Sequence, residues 1–257
     1  MAVSFAAEGA VGYITLDKPP ANSYDREFMD EMGAAVDAAA ADDAVKAVIV
    51  RSASKRFFCA GADIKAFLAN DTAGNMAMIE RGHEVLASIA RIPKVFIAQL
   101  EGHALGGGLE ISLACDLRFG ARGSYKLGVP EVTLGLLPGN GGTQRLSRII
   151  GVPQALDLMI TGRQLSPGQA HALGILNRLF AAAETADRTR EYAEGLAAGA
   201  TVAIGEIKLA TYAGVDGKLA DGLARERQGI AKLFETADAR EGLGAFAEKR
   251  KAEFKGA

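Results

Sequence analysis

Alternation of apolar and polar positions predicts strands in the first half of the chain. Val3–Ala6 and Val11–Leu16 alternate on either side of the segment AEGA, a pattern that is typical of a β-hairpin. Continuous apolar runs begin at Lys46, Lys94 and Asp116, and short unbroken runs of this kind indicate strands buried on both faces. The first half is therefore predicted to hold a sheet with a hairpin at its start.

Helical periodicity fills the gaps between these strands. A helix is predicted from Asp25 to Ala40 with Ser23 as its N-cap, and a second one begins with Thr72 as N-cap. Strands and helices thus alternate through roughly the first 120 residues, which favours an α/β core. After about Gly141 the segments are helix-periodic with glycine and proline between them, so the last third is predicted to be helical.

Composition and charge exclude several classes of protein. The 257 residues are 49% hydrophobic, which suits one large core. The net charge is -2 and the chain has no basic block, so the sequence does not indicate a surface that binds nucleic acid. The two cysteines and three histidines form neither a CxxC nor an HExxH arrangement, so we expect no metal site and no disulfide scaffold. These features are typical of a protein of a reducing compartment.

Targeting and cofactor motifs are not found either. Glu8 interrupts the stretch where a signal peptide needs apolar residues, and no apolar run approaches the roughly 20 residues that span a bilayer. We therefore expect a cytoplasmic protein that does not bind membranes.

GxGxxG, GK[ST] and GxSxG are absent, and Gln144 stands where PGNGGTQRL would need its last glycine. Dehydrogenase, kinase and triad-hydrolase interpretations are thereby disfavoured.

Three segments carry the candidate chemistry, and the first is RFFCAGADIK, Arg56–Lys65. Gly61 permits a sharp turn that can leave the N–H of Ala62 facing a cleft, and Asp63 can cap the short helix that follows. The alternative interpretation is an ordinary turn between a strand and a helix.

The second segment, EGHALGGGLEISLACD, has three glycines followed closely by a carboxylate. The glycines allow a close backbone approach, and the apolar stretch after them predicts a buried helix whose first turn offers free N–H groups. Glu110 lies in or beside that turn, where burying a carboxylate is costly unless the group is paired or used. Alternatively, Glu110 is a carboxylate that interacts with the helix dipole and is satisfied by backbone N–H groups.

The third segment, KLGVPEVTLGLLPGNGGTQRL, embeds a second carboxylate, Glu131. Pro130 is predicted to hold the approach to Glu131 extended, and the turn at Pro138 and Gly139 to return a backbone N–H to the same pocket. A helix-capping role for Glu131 remains the alternative. Two backbone donors and two embedded carboxylates together describe a site that stabilises an oxyanion while moving protons, as enolate chemistry requires.

FCAGADIK, EGHALGGGLEISLACD and GVPEVTLGLLPGNGGTQRL, in this order and spacing, resemble the enoyl-CoA hydratase/isomerase (crotonase) superfamily. The closing AFAEKRKAEFKG resembles the C-terminal end of the superfamily, so the resemblance covers nearly the whole chain. It implies an α/β fold, a crotonase-like spiral of β-β-α units with a C-terminal helical oligomerisation region. The implied division is a core of residues 1–195 that carries the active site and a helical trimerisation region of residues 196–257.

The resemblance also implies an activity, the hydration of 2-trans-enoyl-CoA to 3-hydroxyacyl-CoA, without a cofactor because coenzyme A is part of the substrate. By motif position, Ala62 and Gly107 form the oxyanion hole, Glu110 and Glu131 are the catalytic acid and base, and Gly139 and Pro130 position water and substrate. The implied CoA contacts are Ala21, Ala60, Asp63, Ile64, Lys65, Phe254 and Lys255.

Some expectations stay open at this level. The segment Leu16–Asp25 departs from the commoner LNRPxALNAL, with Asn22 where a leucine usually stands near the CoA. The resemblance implies trimers that pair into hexamers. A Δ3,Δ2-enoyl-CoA isomerase, another acyl-CoA enzyme of the superfamily and a non-catalytic acyl-CoA-binding protein are the competing interpretations, because this fold serves several reactions.

Overall fold

A computed structural model describes residues 1–257, and its centre is a six-stranded sheet in the order β1-β2-β3-β5-β7-β9. The first two strands form the predicted antiparallel hairpin, and all other neighbours in this sheet run parallel. The six strands are β1 (Val3–Glu8), β2 (Val11–Leu16), β3 (Ala47–Ser52), β5 (Val95–Leu100), β7 (Leu117–Ala121) and β9 (Arg178–Phe180).

A second, three-stranded parallel sheet holds the short strands that the sequence patterns did not resolve. Its strands are β4 (Phe57–Cys59), β6 (His103–Leu105) and β8 (Leu127–Gly128). Each follows directly on a strand of the large sheet, so that β3-β4, β5-β6 and β7-β8 are successive pairs, and helices or a 3-10 turn follow each pair. The chain therefore builds repeated β-β-α units, although no repeat is visible in its sequence.

Eleven helices complete the fold. They are α1 (Arg26–Ala41), α2 (Ile64–Ala69), α3 (Thr72–Arg91), α4 (Gly107–Ala114), α5 (Gly142–Ile150), α6 (Val152–Thr161), α7 (Pro167–Ala172), α8 (Thr185–Ala197), α9 (Thr201–Asp216), α10 (Leu219–Leu233) and α11 (Ala237–Glu248). A 3-10 turn, Glu131–Leu134, lies between β8 and α5. The α/β class with C-terminal helices is as the sequence predicted.

Two predicted helix caps were wrong by one or two residues. The N-cap of α1 is Asp25, whose carboxylate accepts a hydrogen bond from the N–H of Phe28 at 3.0 Å, and not Ser23. The N-cap of α3 is Asp71, which accepts from the N–H of Gly74, and not Thr72. In both cases an aspartate close to the predicted cap satisfies the free donors of the first turn.

The helical last third contains one strand that was not expected. Strand β9 pairs with β7 through Phe119 and Arg178, closing the large sheet at one edge. The predicted division after residue 195 stays a prediction, and residue 195 lies near the end of α8. None of the helices is long and apolar enough to cross a membrane.

The core lies on both faces of the large sheet. On one face 40 buried residues form a continuous apolar cluster that joins the sheet to α1, α3, α4 and the 120–176 region. On the other face a smaller cluster, which includes Ile49, Ile97, Phe119 and Ala193, packs the sheet against α8. The rigid sheet therefore holds the loops at its strand ends in fixed positions.

Candidate active site

The loop after β4 presents the first candidate backbone donor. Gly61 has φ +95°, and a Cβ there would lie 2.9 Å from the carbonyl oxygen of Leu105, so only glycine fits. The N–H of Ala62 donates to no acceptor within the chain. As predicted from the sequence, Asp63 caps α2, accepting a hydrogen bond from the N–H of Lys65 at 2.9 Å.

The glycine run brings the second candidate donor against the first. Gly106 has φ +54°, and a Cβ on Gly108 would lie 2.0 Å from the carbonyl oxygen of Cys59, so β4 and the start of α4 are in direct contact. A Cβ on Gly61 would lie 3.4 Å from the nitrogen of Gly107. Gly107 is the first residue of α4, where an N–H has no acceptor inside its own helix. The two backbone donors thus lie on adjacent segments.

Glu110 is buried and held by a turn that lies 30 residues further along the chain. The residue is 1% exposed. Its Oε1 accepts hydrogen bonds from the N–H of Asn140 at 2.8 Å and from that of Gly142 at 2.6 Å. Burial raises the pKa of Glu110 to about 7, against the opposing effect of these two donors and of the Arg145 charge. A group with this pKa can give and take a proton near neutral pH.

Glu131 opens the 3-10 turn and reaches the same site from the other side. A Cβ on Gly106 would lie 2.9 Å from its Oε1, while its buried Oε2 has no hydrogen-bond partner. Burial, followed by the negative charge of Glu110, raises the pKa of Glu131 to about 7. Pro130 does not hold an extended approach as predicted: with ψ 19° it begins the turn that aims Glu131 inward.

The turn at Pro138 and Gly139 returns backbone N–H groups to the site, as predicted. Asn140 and Gly142 supply the N–H groups that bind Glu110, whereas the N–H of Gly139 meets no acceptor within the chain. The carbonyl oxygen of Gly139 lies 2.6 Å from Nε2 of His83 on α3, which fixes the turn against that helix.

Five of the predicted CoA-binding residues cluster beside the first donor. The N–H of Ala60 donates to the carbonyl of Ala21 at 3.0 Å, so these two residues lie on neighbouring segments. Asp63 caps α2, whose first residues, Ile64 and Lys65, are exposed. The five residues therefore form one surface at the entrance to the Ala62 loop.

Asn22 does not belong to that surface. It is 2% exposed, has φ +53°, and its Nδ2 donates to Ser52 at 2.8 Å and to the carbonyl of Phe58 at 2.9 Å. The unusual residue in this stretch therefore ties the loop to β4 from inside, and its side chain is unavailable to a nucleotide.

Phe254 and Lys255 lie far from the other predicted CoA contacts of the same chain. The C-terminal tail is held against α11, where Asp238 accepts from the N–H groups of Lys255 and Gly256, at 2.7 and 2.9 Å. Gly256 lies beside Lys46, which precedes the start of β3, because a Cβ on Gly256 would lie 3.9 Å from the Lys46 Nζ. Ala21 instead follows the end of β2, which runs parallel to β3. The tail is thus at the opposite end of the sheet.

Sequence patterns missed three side chains of the site, those of Tyr24, Asn140 and Arg145. Asn140 is fully buried and links Glu110 to Tyr24, and Arg145 donates from Nη1 to the Asn140 carbonyl at 2.8 Å. An asparagine between glycines in PGNGG is a turn signal, and nothing in that signal indicates a partner that lies 30 residues earlier.

A cavity adjoins the site, and neither glutamate lines it. It measures about 860 Å³ and lies between α3, α5 and α9, with Gly141, Arg145, His83 and Leu86 in its wall. No three His, Cys, Asp or Glu side chains come together in a way that could hold a metal ion.

Comparison with known proteins shows which family the chain belongs to. Residues 6–257 match the family described as enoyl-CoA hydratase/isomerase. A probable enoyl-CoA hydratase of Rhizobium meliloti is 39% identical over 96% of this chain and 95% of its own, and a short-chain-enoyl-CoA hydratase of Clostridium acetobutylicum is 34% identical over 96% and 94%. A crystal structure of the Geobacillus kaustophilus enoyl-CoA hydratase superimposes with a TM-score of 0.97 at 46% identity, covering 100% of this chain and 97% of that one. This chain, with its two embedded glutamates and paired backbone donors, belongs to the enoyl-CoA hydratase/isomerase family of the crotonase superfamily.

Proposed function

We propose that the protein hydrates 2-trans-enoyl-CoA thioesters to 3-hydroxyacyl-CoA. The observation that carries the proposal is the pairing of two carboxylates, each with its pKa raised to about 7, beside two unpaired backbone N–H groups. Carbon 3 of the substrate is electrophilic only when the thioester oxygen can carry negative charge, and each donor of an oxyanion hole contributes about 3 kcal/mol in the transition state.

Ala62 and Gly107 are assigned to that oxyanion hole. Their N–H groups are on adjacent segments, and the glycines around them leave the backbone open to a thioester. The negative charge that develops on the thioester oxygen would be stabilised by both donors as water attacks carbon 3.

The two glutamates differ in a way that suits opposite roles. Two N–H groups and the nearby Arg145 charge favour the carboxylate form of Glu110, which would take the proton of the attacking water. That negative charge in turn favours the protonated form of Glu131, which would deliver its proton to carbon 2. Because the groups interact, they titrate as a coupled pair. The free N–H of Gly139 and the turn at Pro130 would help to position the water and the substrate.

Different parts of the protein are proposed to bind the CoA and acyl portions of the substrate. The CoA would contact the surface formed by Ala21, Ala60, Asp63, Ile64 and Lys65. The acyl chain would extend toward α3, whose His83 contacts the Gly139 turn and whose Leu86 lines the adjoining cavity.

A trimer, alone or paired into a hexamer, is proposed for the assembly. Large apolar side chains remain exposed along the three C-terminal helices, namely Ile207, Val215, Leu219, Leu223, Ile230, Phe234, Leu243 and Phe246. Since Phe254 and Lys255 are distant from the site of their own chain, they would reach CoA bound by a neighbouring copy. Deleting residues from Gly242 onward should then lower the assembly state by light scattering and weaken CoA binding together.

The reaction is tested with a panel of 2-enoyl-CoA esters of increasing chain length. Loss of the conjugated absorbance should accompany a product heavier by one water in the mass spectrum. Isomerisation of a 3-enoyl-CoA, the nearest alternative within the family, conserves mass and would use mainly Glu131. No turnover across the panel would refute hydration.

A further inference from the structure

Tyr24, which the proposed mechanism does not use, brackets the first backbone donor. Its N–H donates to the carbonyl of Gly61 at 2.9 Å, and its carbonyl accepts from the N–H of Asp63 at 2.8 Å. These two bonds form a parallel bridge around Ala62 and leave the N–H of Ala62 itself without a partner. The backbone of Tyr24 thereby fixes the segment that carries this donor.

The ring of Tyr24 lies against the second donor. A Cβ on Gly107 would meet the tyrosine ring at 2.3 Å and its hydroxyl oxygen at 2.5 Å, so the ring packs directly on the Gly107 backbone. Tyr24 is 3% exposed, and the ring of Phe28 lies beside it with centroids 6.5 Å apart. A well-packed ring in this position sets how closely Gly107 can approach Ala62.

The hydroxyl of Tyr24 connects to the Glu110 turn. It accepts a hydrogen bond of 2.5 Å from Nδ2 of Asn140, whose backbone N–H donates to Oε1 of Glu110 at 2.8 Å. Both Tyr24 and Asn140 are buried, so this chain of hydrogen bonds is shielded from water. Tyr24 thus contacts the first donor segment through its backbone, the second through its ring and, through Asn140, the first glutamate.

We propose that Tyr24 is a positioning residue, whose ring sets the separation of the two oxyanion donors and whose hydroxyl, through Asn140, orients the Glu110 carboxylate. The proposal rests on the proposed hydration for its kinetic consequence, while the orientation of Glu110 can be measured without any substrate. A residue that only filled space would act through its ring alone, so removing the hydroxyl separates the two cases.

The Tyr24→Phe variant removes the hydroxyl and keeps the ring. We expect kcat to fall by about 3-fold to 10-fold, the effect of one hydrogen bond, with KM changed less than 2-fold. The N–H of Asn140 stabilises the ionised form of Glu110, so a looser turn should raise the pKa of Glu110 and move the acid limb of the kcat profile to higher pH. The other charged groups that act on Glu110 and Glu131, including Arg145, are unchanged in this variant.

Tyr125→Phe is the matched control, because Tyr125 is also a buried tyrosine. Its hydroxyl donates to backbone carbonyls, lying 2.7 Å from that of Leu100 and 2.8 Å from that of Ala121, and it has no contact with the glutamates. This variant should lose stability without shifting the pH profile. Asn140→Ala removes the other end of the Tyr24 hydrogen bond and should reproduce the shift, and the double variant Tyr24→Phe/Asn140→Ala should add no further shift.

The decisive measurement is an infrared titration of the Glu110 carboxyl band in the ligand-free protein, with the band assigned by its loss in Glu110→Gln. A higher titration midpoint in both Tyr24→Phe and Asn140→Ala, but not in Tyr125→Phe, supports the proposal. Unchanged midpoints in both variants, or an equal shift in Tyr125→Phe, overturn it. A wild-type protein without hydratase activity would refute the proposed function instead, and the infrared comparison would still decide the role of Tyr24.

Discussion

Glu110 and Glu131 meet in one site but are held in opposite ways. Glu110 lies in a helix, is almost fully buried and accepts two backbone N–H groups on one oxygen. Glu131 lies in a short turn, is half-buried and has a buried oxygen that binds nothing within the chain. The difference teaches that a similar pKa can arise from different surroundings: one carboxyl is fixed in place, and the other keeps an oxygen free to engage a substrate.

The largest expected effect comes from Glu110→Gln. The amide keeps the volume and an acceptor for Asn140 and Gly142 but removes the base, so hydration should fall by roughly 100-fold to 10,000-fold. Glu31→Gln is the matched control, because Glu31 also accepts the N–H groups of two residues, Ala2 and Val3, on one oxygen. Steady-state kinetics on both variants checks the prediction, and a hydration rate near that of wild type in Glu110→Gln would remove the proposed base.

Glu131→Gln should also reduce hydration by about 100-fold or more, but with a different signature. Because Glu131 is assigned the proton of carbon 2, this variant should lose exchange of solvent deuterium into carbon 2 of the product. Isomerisation of a 3-enoyl-CoA, where wild type shows it, should survive better in Glu110→Gln than in Glu131→Gln. Mass spectrometry of products formed in deuterium oxide measures both, and the reverse pattern would exchange the two roles.

Replacing each glutamate by alanine should change the free energy of unfolding by different amounts. Glu110→Ala leaves the buried N–H groups of Asn140 and Gly142 without an acceptor, at a cost of about 1–3 kcal/mol each in the free energy of unfolding. Glu131→Ala deletes a carboxyl whose free oxygen already lacks a partner, so stability should stay close to that of wild type or rise. Denaturant titrations at neutral pH decide, and equal losses in both variants would contradict the contrast drawn from the hydrogen bonds.

The pH dependence of stability should show the smallest difference between the two glutamates. Both carboxyls have a pKa of about 7 in the folded protein against 4.5 in an unperturbed chain, so folding favours their protonated forms. The stability that this preference gives is present below about pH 4.5 and is lost as the pH rises through about 7. Glu110→Gln and Glu131→Gln should each flatten this decline to a similar extent, because the repulsion between the two carboxylates is mutual and either substitution removes it. Unfolding midpoints across this range test the prediction, and a variant that keeps the wild-type decline would contradict the raised pKa of the residue it replaces.

Features that depend on neighbouring residues could be predicted from the sequence. The left-handed turn at Gly61 and the cap at Asp63 follow from residue types within a few positions, and so does the location of Glu110 in the first turn of α4. The hairpin and the central strands follow from apolar patterns of four or more residues. The caps of α1 and α3 were predicted one or two residues away because more than one polar side chain there can serve.

Features that depend on tertiary contacts could not be predicted. The bonds from Asn140 and Gly142 to Glu110 join segments about 30 residues apart, and the contact between Tyr24 and Asn140 joins segments still farther apart. Strand β9 has only three residues, too few for a period to appear, and is recognisable only from its partner β7. The position of the C-terminal tail is set by Asp238 on α11, a contact that no motif indicates.

Addition of water across carbons 2 and 3 by this pair of carboxylates is tested most directly by the isotope content of the product. A 2-enoyl-CoA should be incubated with the wild-type protein in deuterium oxide enriched in oxygen-18, and the product analysed by mass spectrometry. The predicted product carries one oxygen-18 at carbon 3 and one deuterium at carbon 2, and both Gln variants at positions 110 and 131 should form it at rates lower by roughly 100-fold or more. A product without solvent oxygen, or undiminished labelling in both variants, would contradict hydration by Glu110 and Glu131.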